Sequence, residues 1–342
     1  MSGGGSWLSM ANRADSDTAP EKPGLGGIPN VPLTERDGVT LREEVRDWGA
    51  LDGDRAGRWK RGVFEFRDYL REKEGVETVF EDVSGNRASG SSPHRFDPDY
   101  ADRQYAKLKD LERGISAEFG QRLHTAMLTY TASSTDDEGR PRPPVDHLDD
   151  LLESWDAIRR ALDRVLDGTR YERLAILEPH KSGYAHIHMA VFVDGRVTTR
   201  TFEPVIEAHV RNCEPARWEA HDLDDDSTIS VRHAGADRDA DDDEVLDELA
   251  IYLAEYLGTY GEDPRDAPGH VQAFNAVLWA SGRQRWRPSN GAQEYMATDS
   301  GEADSEWEMV GVEVDGEFME ADPENGGVDR FTTGTDPPPG GP

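Results

Sequence analysis

Residues 173–193 read RLAILEPHKSGYAHIHMAVFV. Two apolar runs, at residues 173–178 and 184–193, flank the turn residues Lys181-Ser182-Gly183. Runs of this length on either side of a Gly-containing turn are typical of paired strands. The segment therefore predicts an antiparallel β-hairpin, and the rest of the fold can be placed around it.

The neighbouring segments alternate between strand and helix patterns. Residues 124–131 and 228–232 predict further strands, whereas other segments carry apolar residues at helical spacing. The predicted helices cover residues 97–119, 147–166, 203–212, 244–260 and 268–280. From residue 124 onward the order is β-α-β-β-α-β-α-α, which predicts an α+β fold with helices flanking an antiparallel sheet.

The composition divides the chain into four regions. Residues 1–40 are rich in Gly, Ser, Pro and Asp, which predicts a disordered N-terminal segment. Residues 41–118 predict a mainly helical region, and residues 119–298 contain the predicted sheet. Residues 299–342 predict an acidic, largely disordered tail, in which residues 310–319 are compatible with a short hairpin.

The net charge is strongly negative. Acidic residues outnumber basic ones by 70 to 38, which gives a formal charge of -32. Such a charge ordinarily disfavours nucleic-acid and membrane partners. Because the acidic residues also occupy the segments that we expect to fold, we interpret them as an adaptation to a high-salt cytoplasm. Charge repulsion is screened there within about 3 Å at molar ionic strength, so partners must be inferred from local charge.

Several kinds of protein are excluded by simpler features. The chain has one cysteine, Cys213, which rules out an intrachain disulfide and a Cys-rich zinc site. The N-terminus has no basic segment followed by an apolar run, and no apolar stretch is long enough to span a bilayer. We therefore expect a cytoplasmic protein with no membrane partner.

The predicted hairpin carries a candidate metal site. His186 and His188 are two residues apart on a strand, so both imidazoles point to one face. Glu178 lies opposite His186 across the turn and shares that face. Two imidazoles and one carboxylate suit Mg²⁺ or Mn²⁺ acting on phosphate oxygens. The alternative is a half-buried strand with two exposed histidines and a solvated Glu178. Four further histidines are interpreted as surface residues: His180, His209, His221 and His233.

The predicted helix 244–260 carries two candidate nucleophiles. Tyr252 and Tyr256 are four residues apart, so their phenols lie on one helix face. A phenol has a free pKa of about 10, but beside a metal-polarised phosphate it can attack phosphorus. The alternative is that both tyrosines belong to the apolar stripe of this helix.

A local basic patch follows the last predicted helix. Arg283, Arg285 and Arg287 surround Trp286 in an otherwise acidic chain. Arginine can hold phosphates and tryptophan can stack on an unpaired base, which favours a DNA-binding segment. The alternative is a solvated basic turn.

Taken together, residues 100–298 resemble the rolling-circle replication initiators of the HUH endonuclease superfamily, and most of all the plasmid Rep proteins of halophilic archaea. The hydrophobic strand TAMLTYT at residues 125–131 is similar to the first family motif. His186-Ile187-His188 is similar to the metal motif, with Glu178 as third ligand. YLAEY at residues 252–256 is similar to the tyrosine-helix motif, with Glu255 where many relatives have Lys.

The resemblance implies an RRM/ferredoxin-like HUH catalytic domain at residues 119–298. It implies single-stranded or origin DNA as the partner and a site-specific nick in one strand, with formation of a 5′-phosphotyrosine and a free 3′-OH. Tyr256 is the first candidate for the nucleophile and Tyr252 the second, because single-nucleophile relatives keep the tyrosine at the second position of the motif. No P-loop motif occurs, so a host helicase and polymerase are expected as partners.

Two other functions remain open at this point. An HUH transposase would share the chemistry but cut transposon ends, and terminal hairpins beside its gene would identify it. A DNA-binding regulator with structural His and Tyr residues would bind DNA in a salt-dependent way without cleavage.

Overall fold

The structure, a computed structural model, describes residues 25–46, 56–92, 94–223, 225, 227–233, 263–296, 307–314 and 316–320. The predicted helix 244–260 lies outside the described residues. The predictions of disorder for residues 1–24 and 321–342 also fall outside them. Among the described residues, no helix combines the length and the apolar character needed to cross a membrane.

The regular elements of the described residues are as follows. The helices are α1 (Trp59–Lys73), α2 (Pro98–Phe119), α3 (Pro144–Glu153), α4 (Trp155–Val165), α5 (Thr199–Asn212), α6 (Gly269–Ser281) and α7 (Asn290–Tyr295). The strands are β1 (Val76–Asp82), β2 (Arg87–Ser91), β3 (Leu123–Tyr130), β4 (Tyr171–Pro179), β5 (Ala185–Asp194), β6 (Ile229–His233), β7 (Trp286–Pro288), β8 (Trp307–Val314) and β9 (Glu317–Glu320).

The central sheet contains five strands in the order β6-β3-β5-β4-β7, and every neighbouring pair is antiparallel. The hairpin predicted at residues 173–193 is its centre, formed by β4 and β5. The prediction of an α+β fold with an antiparallel sheet flanked by helices is confirmed. Strand β7 is an addition, because the sequence analysis treated its residues only as a basic patch.

Alternate side chains of the sheet enter two separate cores. Leu128, Ile187 and Val191 point to the larger core, to which α1, α3, α4, α5 and α6 contribute. We call this side of the sheet the α5 face. Met127 and Ile176 point the other way, to a smaller core completed by α2 and α7. We call this side the α2 face. With apolar residues on both faces, β3, β4 and β5 read as nearly continuous apolar runs.

A second antiparallel sheet, in the order β2-β1-β8-β9, includes the hairpin that the sequence allows at residues 310–319. Its β1–β2 hairpin lies in the region predicted to be mainly helical and was not anticipated. The residues of β2 are all exposed, so no alternation of apolar and polar residues marks this strand in the sequence. The domain boundaries proposed from the sequence stay predictions.

The N-terminal segment differs from the prediction between residues 25 and 40. Ile28 and Leu33 are buried in the larger core. The backbone N–H of Leu33 donates to the carbonyl of Gly57 at 2.9 Å, and the N–H of Val145 donates to the carbonyl of Leu33 at 2.9 Å. Apart from one short 3₁₀ turn, this stretch has no helix or strand of its own. Its apolar residues therefore follow no period, and composition alone suggested disorder.

The single helix predicted at residues 147–166 is two helices, α3 and α4, separated at Ser154. The Ser154 side chain is buried, and its hydroxyl lies 2.9 Å from the carbonyl of Leu151 and 2.8 Å from Nδ1 of His209. A serine hydroxyl that bonds the preceding turn competes with the helical ladder and favours a bend.

Candidate metal centre

The candidate metal ligands lie where the sequence predicted. Glu178 on β4 is directly opposite His186 on β5. His188 is opposite Ile176 on β4 and Thr129 on β3. Because directly opposed residues share a face of a sheet, all three ligand side chains point to the α2 face.

The three side chains converge on a common point. The Oε2 atom of Glu178 lies 3.0 Å from Nε2 of His186 and 2.7 Å from Nε2 of His188. The two Nε2 atoms are 2.9 Å apart. Neighbouring ligands of an octahedral ion bound at 2.0–2.1 Å lie about 3 Å apart. The donor set therefore fits Mg²⁺ or Mn²⁺, and the group is a possible metal-binding cluster of the described residues.

The centre is partly accessible. The three side chains are between 12% and 16% exposed. A fully enclosed site would hold a structural ion, whereas this exposure leaves coordination positions that a substrate can reach.

Thr129 orients one of the imidazoles. Its Oγ1 lies 3.1 Å from Nδ1 of His188. When Nδ1–H donates to this hydroxyl, the lone pair of His188 is on Nε2, which faces Glu178 and His186. Such a partner behind a metal-binding histidine fixes both its tautomer and its ring orientation.

The protonation states also suit metal binding. Burial by itself raises the pKa of the Glu178 carboxyl, but the two neighbouring imidazoles outweigh it and lower that pKa to about 2. Burial lowers the pKa of His186. At neutral pH the carboxylate is therefore charged and the His186 imidazole is neutral, as metal ligands must be.

The predicted nucleophiles Tyr252 and Tyr256 lie outside the described residues. Their relation to the metal centre stays a prediction from the sequence.

Trp286 shares the face of the metal centre. It is opposite Ile176 on β4, which is in turn opposite His188 on β5. His188, Ile176 and Trp286 therefore form one row across the α2 face. Trp286 is half-buried and packs against the smaller core.

The three arginines of the predicted basic patch are engaged in other contacts. Arg287 is opposite Ala175, which points to the α5 face, and its guanidinium lies 5.8 Å from the ring centre of Trp155. Arg285 lies 5.3 Å from the ring centre of Phe274, and burial lowers its pKa to about 9. Arg283 forms a salt bridge with Asp149, in which Nη2 lies 2.6 Å from Oδ1. The structure thus brings Trp286 onto the metal face, whereas the arginines contact Trp155, Phe274 and Asp149. Arg285 also interacts electrostatically with the candidate ligand Glu178.

The interpretation of His209 and His221 as surface residues is wrong. Both are buried, at 0% and 1% exposure. Nε2 of His221 accepts the backbone N–H of Thr131 at 3.1 Å, and Nε2 of His209 lies 3.0 Å from the carbonyl of Thr131. Nε2 of His147 lies 3.2 Å from the carbonyl of Ala132.

These three histidines satisfy the backbone where it leaves β3. Buried peptide groups need partners, and an imidazole can both donate and accept. No local sequence pattern distinguishes this use of histidine from a surface position. The contacts fix the end of β3 immediately beyond Thr129, which supports His188. Of the other two histidines, His180 is exposed as predicted and His233 is half-buried.

Comparison of the sequence with known proteins identifies its family. Residues 33–341 match the model of the family described as "Putative rep protein (DUF1424)". The chain is 44% identical over 323 residues to the "Uncharacterized 36 kDa protein" of Halobacterium salinarum, covering 90% of this chain and 100% of the relative. It is 42% identical over 323 residues to a protein of the same name from Halobacterium sp. (strain GN101), covering 89% and 97%. No solved structure matches the chain.

Proposed function

The chain belongs to this Rep protein family, and on that premise we propose that it initiates replication by nicking one strand of origin DNA. The mechanism would be that of the HUH rolling-circle initiators, with a metal-assisted attack by a tyrosine. The observation that carries the proposal is the convergence of Glu178, His186 and His188 within 3.0 Å of one another on adjacent strands.

The metal centre supplies the first half of the chemistry. A bound Mg²⁺ or Mn²⁺ would polarise a non-bridging oxygen of the scissile phosphate. Glu178 provides the negative charge of the ligand set, and the two imidazoles provide nitrogen donors. Thr129 holds the His188 ring in place, so that little reorganisation is needed when DNA arrives.

Tyr256 would supply the second half. Its phenol loses a proton, its oxygen bonds to phosphorus, and the bond between phosphorus and the 3′ oxygen breaks. The products are a 5′-phosphotyrosine and a strand end that takes up a proton to become a 3′-OH. Tyr252, one turn away on the predicted helix, would carry out the second cleavage or take part in strand closure.

Trp286 is well placed to hold single-stranded DNA. Its ring is on the α2 face in the same row as His188, where it can stack on an unpaired base. The free 3′-OH would prime a host polymerase. A host helicase would unwind the duplex, because the sequence lacks a P-loop.

A covalent-adduct assay tests the proposal. The full chain is incubated in molar KCl with Mn²⁺ and labelled single-stranded origin DNA, and adducts are separated under denaturing conditions. We expect an adduct with the wild type, none with chelator, and none with the double variants His186→Ala/His188→Ala and Tyr252→Phe/Tyr256→Phe. The control Tyr260→Phe, which changes a tyrosine outside the motif, should retain the adduct.

The outcomes separate the proposed nicking enzyme from a DNA-binding regulator. Salt-dependent binding of the same DNA without an adduct, and without an effect of chelator, would favour the regulator and overturn the proposal.

A further inference from the structure

A second candidate ligand site lies at the other end of the central sheet. A cavity of about 830 Å³ opens between the start of β3, the end of β6 and the N-terminus of α5. Its volume is in the range of sites that hold molecules of nucleotide size. Its wall contains five basic side chains: Arg122, His124, Arg196, Arg232 and His233.

The charge of this wall is opposite to that of the protein. Acidic residues number 70 of 342 in the whole chain, yet none of the described residues that line the cavity is acidic. Arg122 is partly neutralised by Asp194, with Nε and Oδ1 2.9 Å apart. Arg196 is exposed at the rim and forms no ion pair with any described residue. The described residues of the wall therefore create a local positive field in an otherwise acidic chain.

Two histidines lie side by side in this field. His124 and His233 are opposite each other on β3 and β6, with ring centres 4.2 Å apart. Nδ1 of His124 lies 3.1 Å from the carbonyl of Arg122, and Nε2 of His233 lies 2.9 Å from the carbonyl of Gln121. Each ring thus has one nitrogen against a backbone carbonyl, and the other is not hydrogen-bonded to any described residue.

The effect of the positive surroundings is visible at His124. Burial lowers its pKa, and His233 and Arg196 lower it further by charge repulsion. A negatively charged ligand would relieve this repulsion. The first turn of α5, which begins after Thr198, adds the positive end of a helix dipole to the same region.

We propose that this cavity binds phosphate groups of a DNA strand, as a contact site separate from the metal centre. The inference rests on the proposed function for the identity of the polymer. His124 precedes Thr129 by five residues on β3, which corresponds to about 17 Å, and the two side chains point to opposite faces. The cavity would therefore hold DNA that flanks the nick, and not the scissile phosphate itself.

The binding of DNA under conditions that prevent cleavage tests the site. A fluorescent single-stranded oligonucleotide is titrated with the full chain in chelator, at several high KCl concentrations. The double variant Arg196→Gln/Arg232→Gln should bind about tenfold more weakly. The slope of its log affinity against log salt concentration should be smaller by about one or more, which corresponds to the loss of one or more phosphate contacts. The control Arg71→Gln/Arg113→Gln removes the same charge from helix positions that are 62% and 77% exposed and do not line the cavity, and should bind like the wild type.

Two further measurements make the result unambiguous. The NMR signals of His124 and His233 should shift on addition of the oligonucleotide, which a loss of affinity through misfolding would not produce. A mononucleotide and inorganic phosphate are titrated in parallel, and both should bind far more weakly than the strand. Tight mononucleotide binding with no preference for the strand would overturn the assignment to DNA.

Equal affinities of wild type and Arg196→Gln/Arg232→Gln, with unshifted histidine signals, would overturn the site itself. Failure of the proposed function would look different. The oligonucleotide would still bind in a way that depends on Arg196 and Arg232, but the wild type would form no covalent adduct at saturating DNA.

Discussion

The hydroxyl of Thr129 on β3 lies 3.1 Å from Nδ1 of His188 on β5. This contact joins the first sequence motif to the metal centre and gives a strand residue a definite role. In the proposed mechanism it is a positioning role, because Thr129 would act on a metal ion only through the ring of His188.

Replacement of Thr129 by Val should weaken metal binding. Loss of a partner behind a metal-binding histidine typically lowers metal affinity about 10- to 100-fold, and the isosteric valine keeps the β-branched packing. Titration of Mn²⁺ followed by electron paramagnetic resonance measures the change. Thr125→Val is the matched control, since Thr125 is on the same strand and face but is opposite Phe192. Equal Mn²⁺ affinity of the two variants would show that the contact does not orient His188.

Mn²⁺ should stabilise the folded protein through the same centre. A ligand present at a hundredfold excess over its dissociation constant adds about 2.7 kcal/mol. At about 2.1 cal/mol/K of unfolding entropy per residue, this raises the melting temperature of a 342-residue chain by about 4 °C. The response should disappear in His186→Ala/His188→Ala and persist in His180→Ala, which changes an exposed histidine of the adjacent turn. A persistent response in the double variant would place the ion elsewhere.

The stability of the fold should decrease between pH 6.5 and pH 4 because of buried histidines. Burial lowers the pKa of His209 to about 4 from an ordinary value of 6.5. In this window the His209 side chain binds a proton in the unfolded chain but not in the folded chain. The contribution of neutral His209 to the free energy of unfolding is therefore complete above pH 6.5 and is lost as the pH falls. For His209 the loss amounts to about 3 kcal/mol at most.

Urea unfolding at constant high salt measures this effect. The variant His209→Gln should be less stable at pH 7 but should show a flatter decline towards pH 4. An equally steep decline in the variant would mean that other groups dominate acid unfolding.

Trp286 should contribute to the binding of single-stranded DNA. Removal of a ring that stacks on a base costs about 1–3 kcal/mol, so Trp286→Ala should bind an oligonucleotide about 5- to 150-fold more weakly, whereas Trp286→Phe should retain most of the affinity. Trp218, which is 46% exposed outside the central sheet, provides the control Trp218→Ala. Fluorescence anisotropy of a labelled strand distinguishes these cases, and an equal loss in the Phe and Ala variants would argue for packing and not stacking.

The sequence was most informative where potential metal ligands occupy alternate positions of a strand and therefore share one face of the sheet. The spacing of His186 and His188, together with the position of the turn, was sufficient to predict the face that they share with Glu178. Helix α2 was also predictable, because its buried residues Leu108, Leu111 and Ile115 recur at helical spacing. Helix α6 is instead buried on almost every side.

The sequence was least informative where tertiary contacts override local pattern. Strand β2 carries no apolar alternation, and β7 is defined only by its pairing with β4. Burial of His209 and His221 depends on backbone groups that come from β3, which is distant in sequence. Likewise, Ile28 and Leu33 are buried in the larger core by tertiary contacts and not by any periodicity of their own.

The most direct test of the account is to identify the residue that becomes linked to DNA. Wild-type protein reacted with origin single-stranded DNA and Mn²⁺ is digested with protease and nuclease, and the nucleotide-bearing peptide is sequenced by mass spectrometry. The account predicts a phosphodiester on Tyr256, with Tyr252 as the second site. A DNA-linked peptide from any other part of the chain, or cleavage of the DNA without a covalent peptide, would contradict it.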